Sequence, residues 1–250
     1  MSAEAASGSP VPDAASPEGL APWRGDRSDL IARLAAGIAH ELRNPLAVIL
    51  ARVQLLQLAL KGGKPLPAAR LEQSLGAVED QALRASRVIE NLSAFARPRP
   101  PEPAAVDLVG LVEHVLTQLQ SRLPAGQGIA IDVEIRPEAT SLVADRGQLA
   151  TALSQLVVNA VEAMPGGGTL RIRADRREGS VEIRVADSGP GVAPHDAARI
   201  FDPFFSTKPS GSGLGLCVAQ TIAEAHGGTV RLVRSGAVGS EFVLVLPAGG

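Results

Sequence analysis

The sequence predicts an α+β chain: an antiparallel helical hairpin that pairs with a second copy as a dimeric four-helix bundle, followed by an α/β sandwich. Three observations lead there. Two long stretches repeat apolar residues at alternating steps of four and three, and Gly62-Gly63-Lys64-Pro65 separates them. A proline-rich run from Arg97 to Pro103 follows the second stretch. Beyond it, helical periods mix with period-two strands, and two strand pairs read as hairpins.

Residues 1–25 are rich in Ala, Ser, Pro and Gly with almost nothing to bury, which predicts a disordered tail. Trp23 is its one large apolar group, to be docked locally or on a missing partner domain. The first helix runs from Arg27 to about Lys61, with Ser28 a candidate N-cap. Leu34, Ile38, Leu42, Leu46 and Ile49 fall on one face, continued by Val53, Leu56 and Leu60. Pro45 cannot donate to the carbonyl of Glu41, so a kink is expected just after His40.

The second helix runs from about Pro67 to Ala96 on Leu71, Leu75, Val78, Ala82, Ala85, Ile89, Leu92 and Ala96. One hairpin leaves half of each stripe bare. A homodimer covers both; an intrachain hairpin packed on the rest of the protein is the alternative. The proline run, residues 98–104, is a semi-rigid linker. It divides a hairpin over 26–97 from a second domain over 105–250.

The second domain opens with a helix from Leu108 to Leu123 and strands near Ile129–Arg136 and Ser141–Ala144. A helix from Arg146 to Met164 precedes strands Thr169–Asp175 and Val181–Asp187, joined by Arg177-Glu178-Gly179-Ser180. A glycine-rich stretch leads into a helix from Leu214 to His226, and strands Thr229–Arg234 and Glu241–Leu246 close the chain.

Composition narrows the function. Hydrophobic residues make up 45% of the 250, enough for a sizeable core, but aromatics only 2%, which argues against base-stacking surfaces. A net charge of −2 gives no pull toward nucleic acid or acidic membranes. The lone Cys217 excludes an internal disulfide and suits a small buried hydrophobe. Leu46 to Leu60 is interrupted by Arg52, Gln54 and Gln57 and is too short to span a bilayer. The N-terminus lacks the apolar run of a secretory signal. A cytoplasmic protein is expected, with neither membrane insertion nor a nucleic-acid partner.

Four segments carry chemistry. His40 lies about 200° around the helix from both Ile38 and Leu42, at about 100° per residue. It therefore points away from the apolar stripe, among the small or polar Ala36, Gly37, Asn44 and Ala47 and beside Glu41. A zinc motif needs a second His where Asn44 stands. Gln155, Asn159 and Glu162 share the polar face of a helix whose Leu153, Leu156, Val157 and Ala160 turn inward. An amide oxygen at Asn159 suits Mg²⁺. Asp187-Ser188-Gly189-Pro190-Gly191 ends a strand; the carboxylate can accept from an exocyclic amine, and the glycines admit a flat ring. Gly211-Ser212-Gly213-Leu214-Gly215 opens a helix whose N–H groups and dipole favour a polyphosphate.

In this order the segments resemble a two-component sensor histidine kinase, over nearly everything from Asp29 to Pro247. Ala39 to Leu46 resembles the H-box, Gln155 to Ala163 the N-box and Asp187 to Gly191 the first glycine box. Phe201-Asp202-Pro203-Phe204-Phe205 is similar to the aromatic box, and Gly211 to Gly215 to the second glycine box. Phe205-Ser206-Thr207-Lys208 is similar to kinases of the nitrogen-regulation type. The resemblance implies a dimerisation and histidine-phosphotransfer hairpin followed by an ATP-binding domain of the gyrase, chaperone, kinase and MutL superfamily.

It implies a protein-histidine kinase in which His40 accepts the phosphoryl group and Glu41 is the base. Asn159 would hold Mg²⁺ and Asp187 the adenine amine. Gly189, Gly191, Gly211, Gly213, Leu214 and Gly215 would line the ATP site. Lys208 would neutralise phosphate charge or be a solvated loop lysine. Asn44 would position water to dephosphorylate a response regulator, or be only a helix-surface residue. Two positions depart from the family: Gln155 where Asn is frequent, and Glu162 where many members carry a base, so that Lys208 or Arg199 would supply the charge. The expected partners are a second copy, a receiver domain and a possible separate sensor protein. The alternatives are an ATP-driven switch of the same superfamily and a receiver-binding scaffold without turnover.

Overall fold

The computed structural model describes residues 27–62, 67–96, 99–120, 128–208 and 211–249, with backbone alone for 27–36, His40, Arg87, 94–96 and Gln120. The tail, the turn at 63–66 and the expected end of the third helix at Leu123 lie outside the described residues.

Two long helices, α1 (Arg27–Lys61) and α2 (Ala68–Ala96), pack along each other. The short connection leaves room only for an antiparallel return. Helix α1 already includes Arg27, so Ser28 lies inside it rather than at its cap, and it runs unbroken through the buried Pro45. The apolar stripe divides in two. Leu42, Ile49 and Leu56 are half-buried, whereas Leu46, Leu50 and Leu60, with Leu71, Leu75 and Ile89 of α2, are exposed. Among the described residues no helix is long and apolar enough to cross a membrane.

Next come β1 (Ala104–Asp107), α3 (Leu108–Gln120), β2 (Ile129–Ile135) and β3 (Ser141–Ala144). Then follow α4 (Arg146–Glu162), β4 (Gly168–Arg177), β5 (Ser180–Asp187), α5 (Gly215–Ala225), β6 (Thr229–Gly236) and β7 (Gly239–Pro247). The main sheet has the order β2-β4-β5-β7-β6. Its β2–β4 pair is parallel and the others antiparallel. A parallel pair needs a crossover, and α4 lies in the connection between β2 and β4.

One face of the sheet is apolar: Leu170 and Ile172 of β4, Val181 and Ile183 of β5, and Phe242 and Leu244 of β7 are buried. Against it lie α4 and α5, with α3 beside α4. Each helix buries a stripe, Leu108, Leu111, Val112 and Val115 in α3 and Leu149, Leu153, Leu156 and Val157 in α4. Full burial of such side chains stabilises by roughly 1.5–3 kcal/mol apiece. The opposite face carries charged pairs between neighbouring strands, among them Arg171–Asp132 in register at 3.0 Å and Arg184–Glu241 on the diagonal at 3.3 Å.

Strand β1, pairing Ala104 with Ala144 and Val106 with Leu142, is an element that periodicity does not reveal. The proline run before it is held by Asp145. That carboxylate accepts from Arg99 Nη2 at 2.7 Å and the Glu102 N–H at 3.1 Å, and it caps α4 through the N–H groups of Gly147 and Gln148.

Candidate ATP site

Helix α4 positions the first part of the site. Its apolar face is locked into the core, so Gln155, Asn159 and Glu162 stand on the side away from the sheet. The Asp145 cap fixes its N-terminus, and the Asp145 N–H donates to His226 Nε2 at 3.0 Å at the end of α5. His226 Nδ1 lies 2.8 Å from the Ile222 carbonyl. The ring therefore donates at Nδ1 and accepts at Nε2, which ties α4 to α5.

Between these helices, the end of β5 and the segment 187–215 lies a cavity of about 880 Å³. Asn159, Asp187, Gly191, Lys208, Gly211, Gly213 and Gly215 line it. Asp187 is 6% exposed. It accepts at Oδ1 from the N–H groups of Gly189 at 2.8 Å and Ser240 at 3.3 Å. Among the described residues both bonds end on that oxygen, which leaves Oδ2 as the acceptor for a ligand. Burial raises its pKa above the ordinary carboxylate value, against the opposing pull of those N–H groups and of Lys208 and Arg234.

Two glycines are required by the backbone. Gly191 has φ 79°, and a Cβ there would stand 2.2 Å from the Gly236 carbonyl oxygen. Gly213 has φ 65°, and its Cβ would stand 2.4 Å from the carbonyl carbon of Phe204. These close approaches keep a wall of bare backbone beside the cavity, suited to a flat ring or a phosphate chain.

Lys208 reaches across to α4. Its Nζ donates to Asn159 Oδ1 at 2.8 Å and to the Asn159 carbonyl at 3.0 Å, and meets Glu162 Oε2 at 3.4 Å. An ammonium on this oxygen set marks it as a cation seat, and the donors fit a hard divalent ion. Arg199, the other candidate for phosphate charge, is stacked on the Phe205 ring at 4.5 Å.

Two expected residues sit elsewhere. Leu214 is fully buried in the core, and its N–H donates to Ser212 Oγ at 3.3 Å, so it does not line the cavity. Gly189 packs against α4, where a Cβ would lie 2.8 Å from the Ala163 carbonyl oxygen. Cys217 is buried, donates to the Leu214 carbonyl, and has its thiol pushed up to about 12 by burial.

The helical pair closes the cavity from outside, with Glu41 of α1 and Asn91 of α2 in its lining. The Gln155 amide donates to Asn91 Oδ1 at 2.8 Å. Phe204 packs on Gly37, one turn before His40. The His40 side chain lies outside the described residues; its backbone is helical between Gly37 and Glu41. Asn44 is exposed on α1. Motif reading missed the roles of Asn91 and Gly37. The one signal was Gly37 itself, a glycine inside a helix where Ala is favoured by about 1 kcal/mol.

Known proteins match both halves. The His Kinase A (phospho-acceptor) domain matches residues 30–101, and the histidine kinase-, DNA gyrase B- and HSP90-like ATPase matches residues 144–250. The histidine-protein kinase AtoS of Escherichia coli K12 is 35% identical over 225 residues, 89% of this chain and 36% of the relative. The sensor histidine kinase ZraS of Klebsiella oxytoca is 36% identical over 222 residues, 88% of this chain and 46% of the relative. The chain thus spans between a third and a half of the length of these relatives. Full-length ShkA in complex with AMPPNP is 30% identical with a TM-score of 0.63, covering 89% of this chain and 46% of that one. The histidine kinase ThkA, in its complex with the response regulator TrrA, has the same fold at a TM-score of 0.69 and 24% identity, covering 89% and 63%. The chain belongs to the sensor histidine kinases of two-component systems, whose ATPase domain is of the gyrase B and HSP90 type.

Proposed function

We propose that this chain is the kinase core of a two-component system, which phosphorylates itself on His40 and passes the phosphoryl group to an aspartate of a response regulator. The supporting observation is that Glu41 of α1 lines the same cavity as Asn159, Asp187 and Gly213 of the ATPase fold. The nucleotide's adenine amine donates to Asp187 while its phosphates lie along Gly211, Gly213 and Gly215. Asn159 would hold Mg²⁺, which would draw charge from the phosphate oxygens. Lys208 leaves Asn159 and pairs with phosphate.

An imidazole nitrogen of His40 forms the N–P bond as the bond from the γ-phosphorus to the bridging oxygen breaks. ADP departs with the electron pair, and Glu41 takes the imidazole proton. Glu41 and Asn44, one and four residues after His40, serve the further task of directing water at the phosphorylated regulator.

Residues 26–97 form the dimerisation and phosphotransfer hairpin, 98–104 the linker and 105–250 the catalytic domain. The exposed Leu46, Leu50, Leu71 and Leu75 support a homodimer, since such a row is unfavourable in water until a second copy covers it. The protein acts in the cytoplasm and takes its signal from a sensor segment or a separate sensor protein.

The test is incubation with γ-labelled ATP and Mg²⁺ beside His40→Gln and Asn159→Ala. The expected label is acid-labile, base-stable and absent from both variants. Nucleotide binding without label on the wild type would refute the proposal.

A further inference from the structure

We infer that His40 receives its phosphoryl group in cis, from the nucleotide held by its own chain, and that Gly37 and Asn91 are the positioning residues that seat the ATPase domain on its own helices. The inference rests on the kinase reading above and fixes its geometry.

Two contacts and one lining residue surround the mouth of the cavity. The first is the seat of Phe204 on α1. A Cβ on Gly37 would stand 2.6 Å from Cδ1 and 2.8 Å from Cγ of the Phe204 ring, so the ring rests on bare helix backbone. Gly37 is three residues before His40 and four before Glu41, and residues at these spacings share a helix face. The aromatic ring therefore lands on the face that carries the acceptor.

Phe204 is built for this contact. Its φ of 64° is uncommon for a residue with a side chain. It is held there by its own N–H, which donates to the Gly213 carbonyl at 2.9 Å. The glycine segment at the phosphate end of the cavity and the ring on the acceptor helix are thereby one unit.

The second contact is the Gln155–Asn91 hydrogen bond at 2.8 Å. Gln155 stands one turn before Asn159 on the same face of α4, so α2 is tied to the helix that carries the cation seat. Val88, one turn before Asn91, is only 3% exposed. Beside these two contacts Glu41, directly after His40, stands in the cavity lining. A partner's ATPase domain cannot occupy the face at Gly37 while the chain's own Phe204 covers it, so the docked arrangement excludes transfer between subunits.

The test uses mixed dimers of two differently tagged chains, purified through both tags and given γ-labelled ATP with Mg²⁺. In His40→Gln paired with Asn159→Ala, neither chain labels. In wild type paired with Asn159→Ala, only the wild-type chain labels. Label on the Asn159→Ala chain in either dimer overturns the inference. For a monomeric preparation the cis route requires a per-molecule rate independent of concentration, and a rate that climbs with concentration overturns it. Failure of wild type to label at all counts against the kinase reading instead.

Gly37→Ala tests the seat. Alanine favours the helix, while its methyl displaces the ring, and a displacement of about 1 Å is enough to slow transfer roughly 100-fold. ATP affinity stays unchanged, and Gly37→Ala with Phe204→Ala is no slower than Phe204→Ala alone. An unaltered or faster rate in Gly37→Ala overturns the positioning role.

Discussion

Asp145 holds three pieces of chain together, and replacing it separates their contributions. Its Oδ1 caps α4 through Gly147 and Gln148, and its Oδ2 receives Arg99 and Glu102. In Asp145→Ala the lost cap costs about 1 kcal/mol. The charge-assisted bond to Arg99 adds no more than about 1 kcal/mol, because the Arg99 side chain is 61% exposed. The total is about 2 kcal/mol. At roughly 2–4 °C per kcal/mol for a unit of 150–250 residues, the thermal midpoint falls by about 4–8 °C.

Asp145→Asn keeps an oxygen for the cap but puts an amide NH₂ where Oδ2 received Arg99 and the Glu102 N–H, so it loses those bonds with the charge and costs about half as much. The pH dependence has a definite sign. Burial pushes the Asp145 pKa up, but the N–H groups of Gln148, Glu102 and Gly147 and the Arg99 charge outweigh it and leave the pKa lowered from 3.8. The folded state thus favours the ionised form. The stabilisation is complete above the unfolded pKa and is lost as pH falls through the lowered folded value. Circular-dichroism melts of the three proteins, from neutral pH down to about pH 3, follow this directly. An Ala variant within about 0.5 kcal/mol of wild type would refute the account of the cap. A wild-type to Asn gap that does not narrow on acidification would refute the role of the charge.

Nucleotide affinity weakens as pH falls through the raised pKa of Asp187, because an amine donor prefers the ionised carboxylate; Asp187→Asn binds about 10–100-fold more weakly and loses the pH dependence, as calorimetry reads. Lys208→Met frees the Asn159 and Glu162 oxygens. Nucleotide-free protein then binds Mn²⁺ more tightly, while MgATP binds more weakly; a change in the same direction for both would contradict the cation-seat reading. Leu50→Glu places a charge in the exposed apolar row of α1, and sedimentation is expected to show loss of the dimer with the thermal transition of the ATPase domain unchanged.

Local regularities were legible in the sequence and remote contacts were not. The four-three steps locate α1 and α2 closely, because a hairpin seam imposes one period along its length. The turn at Glu178-Gly179, with φ of 47° and 81°, was readable from its glycine and the alternating strands beside it. Strand β1 escaped because it has four residues and a partner far along the chain, and the parallel pairing of β2 with β4 for the same reason. Periodicity merged Leu42 and Ile49 with Leu46 into one stripe, whereas α2 covers only part of it. At the site, motifs located Asn159, Asp187 and Lys208, but composition could not choose between Lys208 and Arg199. The choice depends on a cation–π contact between Arg199 and Phe205 and on the bonds by which Lys208 reaches Asn159 of α4. Asn91–Gln155 and Gly37–Phe204 join residues far apart in sequence, and in each pair one partner, Asn91 or Gly37, belongs to no motif.

The most direct measurement is localisation of the phosphoryl group on the intact protein after incubation with MgATP, by tandem mass spectrometry at neutral pH with ³¹P NMR of the same sample. The account predicts one phosphoramidate, on the imidazole of His40. A phosphoryl group on a hydroxyl side chain or on another histidine would contradict it.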